Sequence, residues 1–256
     1  MYRVMVFLGL LGMGIQVEAK KIRDIKMIKI GHRGASGVEL ENSIAAFEKA
    51  IELGVDMIEL DVIPCKSGEV IVMHDNTIDR TTNGSGTVAD MTFDELQQYA
   101  LNNGEPIPTL ERVLKAVDRR CKVNVELKVG GDDTSLKVIA VLKKFIDDGW
   151  EADDFLVSSF DHYLLLPFLE QMPNVLRAPI IASIPIGYAE FATKSEAYSV
   201  NVKLDMTTQE FIDDAHARGF KFFVWTVNSK DEIQKCIDMG VDGVFTDHSK
   251  LFDEIR

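Results

Sequence analysis

The sequence has little of several features that mark particular protein classes. It contains three cysteines among 256 residues and no CxxC pair, so neither a disulfide framework nor a cysteine-based zinc site is expected. Its seven prolines and 18 glycines occur without a repeated tract, which excludes fibrous and low-complexity proteins. No apolar run reaches the about 20 residues that a membrane-spanning helix needs. We therefore expect no stable membrane anchor.

Positive charge is also scarce. Lysine and arginine number 28 against 41 aspartates and glutamates, which gives a formal net charge of −13. Nucleic-acid binding needs a basic face, so no nucleic-acid partner is expected. A small anionic substrate is still compatible with this charge, because a local basic cluster or a bound cation can reverse the field. With 46% hydrophobic residues, the chain is too apolar for disorder and long enough to build a core.

Residues 1–19 predict a cleaved signal peptide. Arg3 gives the segment a positive start, and an apolar run of twelve residues follows from Val4 to Ile15. Val17 and Ala19 supply small residues at the positions that a signal peptidase reads. We expect export to the periplasm or the medium, with a mature chain of residues 20–256. The alternative is a cytoplasmic protein with an apolar N-terminal element packed on its domain.

From residue 27 onward, eight short apolar runs alternate with amphipathic segments. This alternation predicts a (β/α)₈ TIM barrel, which needs about 250 residues. A doubly wound open sheet is the competing fold, but no GxGxxG follows the first apolar run. The predicted strands are Met27–Ile30, Met57–Val62, Lys122–Leu127, Asp154–Ser158, Leu176–Ala182, Tyr198–Val202, Lys221–Thr226 and Val241–Phe245, and the helices lie at 44–55, 109–117, 135–146, 163–169, 207–217 and 229–239.

One stretch interrupts the alternation. Residues 63–108 predict an insertion after the second strand, with a short strand at Val70–Met73, a turn-rich loop and a small helix at Thr92–Ala100. An insertion at the carboxyl end of a barrel strand lies over the mouth, where barrel enzymes hold their active sites. We interpret it as a cap on a single domain, residues 20–256, rather than as a second domain.

Acidic residues collect on two of the predicted strands. Glu59 and Asp61 are two residues apart, so both side chains point to the same side of the second strand, and Glu126 ends the third. Parallel barrel strands are buried on both faces, so inward carboxylates need neutralisation. Oxygen ligands favour a hard divalent cation, Ca²⁺ or Mg²⁺, over zinc.

Basic residues and histidines follow the same strand ends. Three carboxylates and one dication leave a charge of −1, which Arg33 and Lys128 would change to +1. A phosphodiester carries one negative charge and would neutralise such a site, with Arg33 gripping its oxygens. His32 and His74 would supply the base and the acid that P–O cleavage requires.

These residues resemble those of the glycerophosphodiester phosphodiesterases, and the similarity covers nearly all of the chain after residue 27. The ordered combination HR, ExD and H is more specific than any single motif. The matching segments are GHRGAS (31–36), ENSIAAFEKAIELG (41–54), IELDV (58–62), VMHDNTIDRTTNGSG (72–86), VELK (125–128), SSFD (158–161), HARG (216–219), VWTVN (224–228) and GVDGVFTD (240–247).

The resemblance implies cation-dependent hydrolysis of glycerophosphodiesters to sn-glycerol 3-phosphate and an alcohol. Residues 160–206 match weakly, so the head-group preference is left open. Carried over residue by residue, the resemblance implies catalytic His32 and His74, metal-binding Glu59, Asp61 and Glu126, substrate-binding Arg33, Lys128 and Trp225, and a supporting Glu41.

Several alternatives stay open at this point. Lysophospholipase D-type cleavage would act on the same bond in lipid substrates. A barrel that only binds its ligand would have lost a histidine or a carboxylate, and none is missing. The choice between calcium and magnesium, the assignment of acid and base, the nucleophile (water or a substrate hydroxyl) and the oligomeric state are not specified by the sequence.

Overall fold

The computed structural model describes residues 27–128 and 132–254. Eight parallel strands form a closed barrel, and a ninth, β3, belongs to the insertion. The strands are β1 (Ile28–Gly31), β2 (Met57–Pro64), β3 (Val70–Val72), β4 (Lys122–Leu127), β5 (Phe155–Ser159), β6 (Leu176–Ile181), β7 (Ser199–Lys203), β8 (Lys221–Trp225) and β9 (Gly243–Thr246).

Parallel pairing runs around the barrel from β1 through β9, β8, β7, β6, β5 and β4 to β2, and the pairing of β1 with β2 closes it. Asp61 of β2 lies opposite Glu126 of β4 in this register. The predicted (β/α)₈ barrel is therefore confirmed, as is the insertion after the second strand.

Seven α-helices lie between the strands in the described part of the chain. Hydroxyl side chains start several of them, because a serine or threonine oxygen accepts a bond from a free N–H of the first turn. Ser43, Thr109, Thr208 and Ser229 each cap a helix in this way. The helices are α1 (Ile44–Glu52), α2 (Phe93–Leu96), α3 (Leu110–Val117), α4 (Asp132–Asp147), α5 (Leu166–Gln171), α6 (Gln209–Ala217) and α7 (Lys230–Met239).

Two layers of apolar packing hold the barrel. The outer layer joins the strands to the helices, for example through Phe47 of α1 and Phe168 of α5. The inner layer fills the barrel below the mouth, so the interior is a packed core rather than a pore. Its buried members are Ile30, Met57, Leu156, Ala178, Phe223 and Phe245.

The insertion has its own small core. β3 pairs antiparallel with the end of β2, and a 3₁₀ turn at Val88–Asp90 precedes α2. Because β2 continues to Pro64 to make this pairing, the insertion is an extension of the barrel sheet. Its core consists of Ile63, Cys65, Ile71, Met73, Ile78, Val88, Leu96, Leu101 and Ile107.

Two predicted helices are wrong in extent. The helix expected over Thr92–Ala100 ends at Leu96, because Ala100 and the residue after it are extended and pair with Pro106 and Thr82. The helix expected over Tyr163–Leu169 is a 3₁₀ helix, His162–Leu165, followed by α5.

The connection between β6 and β7 also differs from the expected pattern. It contains an eight-residue 3₁₀ helix, Tyr188–Ser195, that the sequence did not predict. The predicted signal peptide, residues 1–19, lies outside the described residues. Within the described residues, no helix combines the length and the apolar character needed to cross a membrane.

Candidate active site

A cavity of about 160 Å³ opens at the carboxyl end of the barrel strands. Seven of the nine predicted site residues line it. The other two, Asp61 and Glu41, contact lining residues instead. Its lining consists of His32, Arg33, Glu59, His74, Asn124, Glu126, Lys128, Ser158, Phe160, Ile180, Asn201, Trp225 and Phe245.

The three acidic residues converge as their strand positions predicted. Carboxylate oxygens of Glu59, Asp61 and Glu126 lie within 4.8 Å of one another. Glu59 and Asp61 are only 2% and 1% exposed. Burial, reinforced by the negative charges of its two neighbours, raises the pKa of Glu59 well above its usual value. Burial and Asp61 likewise raise the pKa of Glu126.

Protein donors neutralise this cluster only in part. The backbone N–H of Arg33 donates to Glu59 Oε2 at 2.8 Å, and Asn42 Nδ2 donates to Asp61 Oδ2 at 2.9 Å. The other oxygen of Glu59, Oε1, is buried without a hydrogen-bond partner among the described residues. A hard divalent cation prefers oxygen ligands, and it would bind this unpaired carboxylate oxygen together with the other oxygens of the cluster. The residues present therefore fit a bound metal ion.

Two cations border the carboxylates. Lys128 Nζ lies 2.8 Å from Glu126 Oε1 and 3.5 Å from Asp61 Oδ1. Burial alone would lower the pKa of Lys128, but Glu126 and Asp61 outweigh it and raise the pKa, so the ammonium stays charged. Arg33 Nε lies 3.5 Å from Asp61 Oδ2.

Arg33 contacts the acidic cluster through both its backbone and its side chain. Its φ of 54° is in the left-handed region, and its N–H and its guanidinium both reach the acidic cluster. Gly34 follows with φ 85°, and a Cβ there would lie 2.6 Å from the backbone of Ala46. Only glycine allows this turn to pack against α1.

Both histidines are held by a carboxylate at the same ring nitrogen. His32 Nδ1 lies 2.7 Å from Asp247 Oδ1, and His74 Nδ1 lies 2.7 Å from Asp75 Oδ1. Such a contact fixes the ring and leaves Nε2 as the nitrogen available for proton transfer. The two rings can therefore act as a matched pair on a ligand in the cavity.

Asp247 is itself fixed by two further donors. Ser36 Oγ donates to its Oδ1 at 2.8 Å, and Asn228 Nδ2 donates to its Oδ2 at 2.6 Å. Burial alone would raise the pKa of Asp247, but the bond with His32 and these donors outweigh it and lower the pKa. Asp247 is thus ionised at neutral pH and can stabilise a protonated His32.

Asp75 is fixed by Arg80, which also connects to the other side of the cavity. Arg80 Nε donates to Asp75 Oδ2 at 2.7 Å, while its two terminal nitrogens donate to both oxygens of Glu41 at 2.7 Å. Glu41 Oε1 in turn accepts from Arg33 Nη1 at 3.0 Å. The bond from Arg80 is the main reason that the pKa of Asp75 is lowered.

The structure thus adds residues to the predicted site. The motif GVDGVFTD ends at Asp247, and VMHDNTIDRTTNGSG contains Asp75 and Arg80, so the matching segments carried a signal for these residues. Asn42, with φ 57°, lies in the same kind of segment. Glu41, whose role the sequence left open, contacts Arg33 rather than the cavity.

The opposite wall of the cavity is apolar. Trp225 is half-buried and donates its indole N–H to Asn201 O at 3.1 Å. Its ring meets the edge of Phe160 at a centroid distance of 5.4 Å. Ile180 and Phe245 complete this wall. The sequence predicted Trp225 but not the other three.

Comparison with known proteins agrees with this geometry. The family model of the glycerophosphoryl diester phosphodiesterases matches residues 32–251. A glycerophosphodiester phosphodiesterase of Caldanaerobacter subterraneus subsp. tengcongensis is 35% identical over 87% of this chain and 95% of the relative. The mouse lysophospholipase D GDPD1 is 28% identical over 98% of this chain and 93% of its own length.

Among solved structures, an Oleispira antarctica phosphodiesterase in complex with the product sn-glycerol-3-phosphate superimposes with a TM-score of 0.82. It is 25% identical, and the match covers 88% of this chain and 95% of the other. The family model spans far more than half of the chain, and the first relative covers more than two thirds of it. The chain belongs to the glycerophosphoryl diester phosphodiesterase family.

Proposed function

We propose that the protein hydrolyses glycerophosphodiesters to sn-glycerol 3-phosphate and an alcohol. The observation that carries this proposal is a cluster of three carboxylates at the cavity that His32 and His74, each held by a carboxylate, also line. In the net reaction, one P–O bond to the alcohol breaks and one P–O bond to the attacking oxygen forms. The proton of water ends on the alcohol.

We infer that a divalent cation, Ca²⁺ or Mg²⁺, is held by Glu59, Asp61 and Glu126. When bound, such an ion polarises the phosphate and stabilises the negative charge of the transition state. The guanidinium of Arg33 and the ammonium of Lys128 would bind the non-bridging oxygens of the diester. The Arg33 and Lys128 side chains already lie beside the carboxylates, so neither has to move far to contact a diester bound there.

His32 and His74 would divide proton transfer between them. One ring removes a proton from the attacking oxygen, and the other gives a proton to the departing alkoxide. Asp247 and Asp75 each fix a ring at Nδ1, so the same nitrogen, Nε2, is left for the transfer in both.

A lysophospholipid is a second candidate substrate. The apolar wall of Phe160, Ile180, Trp225 and Phe245 could pack against the acyl chain that distinguishes a lysophospholipid from a glycerophosphodiester. The mouse relative named lysophospholipase D also aligns along nearly all of the chain. Glycerophosphocholine and lysophosphatidylcholine, compared in one assay, distinguish the two substrate classes.

Removal of metal should abolish activity. Chelation with EDTA should stop hydrolysis of glycerophosphocholine, and separate addition of Ca²⁺ and Mg²⁺ should identify the ion that restores it. Glu59→Gln should weaken metal binding measured by calorimetry by about tenfold or more, because even outer partners of a metal site are worth about 10–100-fold. Glu52→Gln, on the exposed side of α1, is the control. Full activity after thorough chelation would contradict the metal assignment.

Loss of either histidine should slow turnover. His32→Ala and His74→Ala should each reduce kcat by about 10² to 10⁴, the usual contribution of a general acid or base. His248→Ala removes an exposed histidine that does not line the cavity, so it should leave kcat unchanged. If kcat of His32→Ala or His74→Ala stays within a factor of two of the parent, that ring is not a proton-transfer group.

Arg80 should act as a positioning residue. Arg80→Gln removes the charge that bridges Asp75 and Glu41, so kcat should fall by about 10–100-fold, as for other outer partners of catalytic groups. KM should change less than kcat, the pH profile of kcat should shift, and Arg80→Lys should recover part of the loss. Arg218→Gln breaks a comparable pair with Asp214 on α6 and should leave kcat unchanged. An unaltered pH profile in Arg80→Gln would argue against this role.

We also propose that the protein is exported. The apolar segment of residues 1–19 supports this proposal. N-terminal sequencing of the protein recovered from the periplasm or the culture medium should begin near Lys20. Recovery of the chain from the cytoplasm, beginning at Met1, would contradict it.

A further inference from the structure

We propose that the mouth of the barrel docks on a zwitterionic phospholipid bilayer through a ledge of four apolar side chains. The ledge consists of Phe160 and Tyr163, in the connection after β5, and Ile184 and Ile186, in the loop after β6. The proposal rests on the proposed function, because it brings the cavity to a surface where lipid-derived diesters are found. It concerns reversible surface contact, not an anchor.

The distribution of exposed apolar side chains is uneven. Of the seven large ones in the described residues, Phe160, Tyr163, Ile184 and Ile186 lie on two neighbouring loops, and Tyr163 is 80% exposed. Val38 and Leu136, which follow β1 and β4, also lie toward the mouth. The seventh, on α7, lies in the last helical turn and therefore at the opposite end of the barrel. Clustered exposure of this kind marks an interaction surface, whereas scattered exposure does not.

The two loops are joined into one surface. Their strands β5 and β6 are paired in parallel up to Ser159 and Pro179, so both loops leave the same edge. His162 Nε2 lies 2.9 Å from Ile180 O, and its ring stacks on Phe191 at 5.2 Å. The connection after β5 is therefore fixed both to β6 and to the 3₁₀ helix that follows the β6 loop.

Phe160 links the ledge to the cavity. It is 49% exposed, yet it lines the cavity and packs against Trp225. Phe160 thus belongs both to the ledge and to the wall opposite the carboxylates. A lipid-derived substrate could pass from a bilayer to the cavity without its apolar part entering water, which is the unfavourable step for such a molecule.

The charges near the ledge favour a zwitterionic bilayer over an anionic one. Residues 160–163 and 182–187 contain one carboxylate, Asp161, and no lysine or arginine. Binding to anionic lipids relies on basic side chains near the apolar ones, and the whole chain carries −13. A zwitterionic surface such as phosphatidylcholine imposes no such repulsion, and tyrosine is well suited to the headgroup region.

The test is co-sedimentation of the full chain with phosphatidylcholine vesicles. The double variant Ile184→Ser/Ile186→Ser should bind at least tenfold less than the parent. Ile237→Ser, an equivalent change of an exposed isoleucine on α7, should bind within a factor of two of it. All three proteins share the same N-terminus, so any contribution of that segment cancels. Hydrolysis of soluble glycerophosphocholine should be equal in all three.

Several outcomes would overturn the docking proposal. They are a parent chain that stays in the supernatant, a double variant that binds as well as the parent, and equal loss of binding in Ile237→Ser. A parent that is dimeric by sedimentation velocity and becomes monomeric in the double variant would show that a second copy covers the ledge instead. Failure of the proposed function is a separate result, because it would appear as absent glycerophosphocholine hydrolysis whether or not the vesicles are bound.

Discussion

The structure of the site depends on the burial of three carboxylates at one point of the barrel mouth. Glu59, Asp61 and Glu126 approach within 4.8 Å, and burial with mutual repulsion raises the pKa of Glu59 and of Glu126. The surrounding residues reduce this cost through the N–H of Arg33, the amide of Asn42 and the ammonium of Lys128. One carboxylate oxygen of the cluster is buried without a hydrogen-bond partner in the described residues, so the same constraint that shapes the site also makes it suitable for holding a cation.

The barrel and the insertion each supply one of the two histidines of the site. The barrel supplies His32 and its partner Asp247 from the ends of β1 and β9, whereas the insertion supplies His74, Asp75 and Arg80. Because Arg80 also holds Glu41, the cap is tied to the loop that carries the other histidine. The hydrogen-bonded chain through Asp75, Arg80 and Glu41 therefore links the segments that carry His74 and His32, the two proposed proton-transfer groups.

Much of this arrangement follows from local sequence. Strands with apolar runs and capped helices define the barrel, and the two-residue spacing of Glu59 and Asp61 is enough to place both on one face. Contacts between segments far apart in the chain could not be deduced in the same way. Arg80 meets Glu41 across 39 residues, and the chain after α2 is extended where Leu101 pairs with Thr82 of the loop before that helix. Both are tertiary effects that helical propensity and periodicity do not encode.

The charged part and the apolar part of the cavity come from different segments of the chain. The carboxylates, cations and histidines come from β1, β2, β4 and the insertion, apart from the Asp247 support, and lie in segments that closely match the family motifs. The apolar wall comes from β6, β8, β9 and the connection after β5, and part of it lies in the region of residues 160–206, where the match is weak. A diester is divided in the same way, since every substrate shares the phosphate and differs in the alcohol. We therefore expect that the accepted alcohol can change without altering the electrostatic balance around Glu59, because the side chains of the apolar wall, Phe160, Ile180, Trp225 and Phe245, carry no charge.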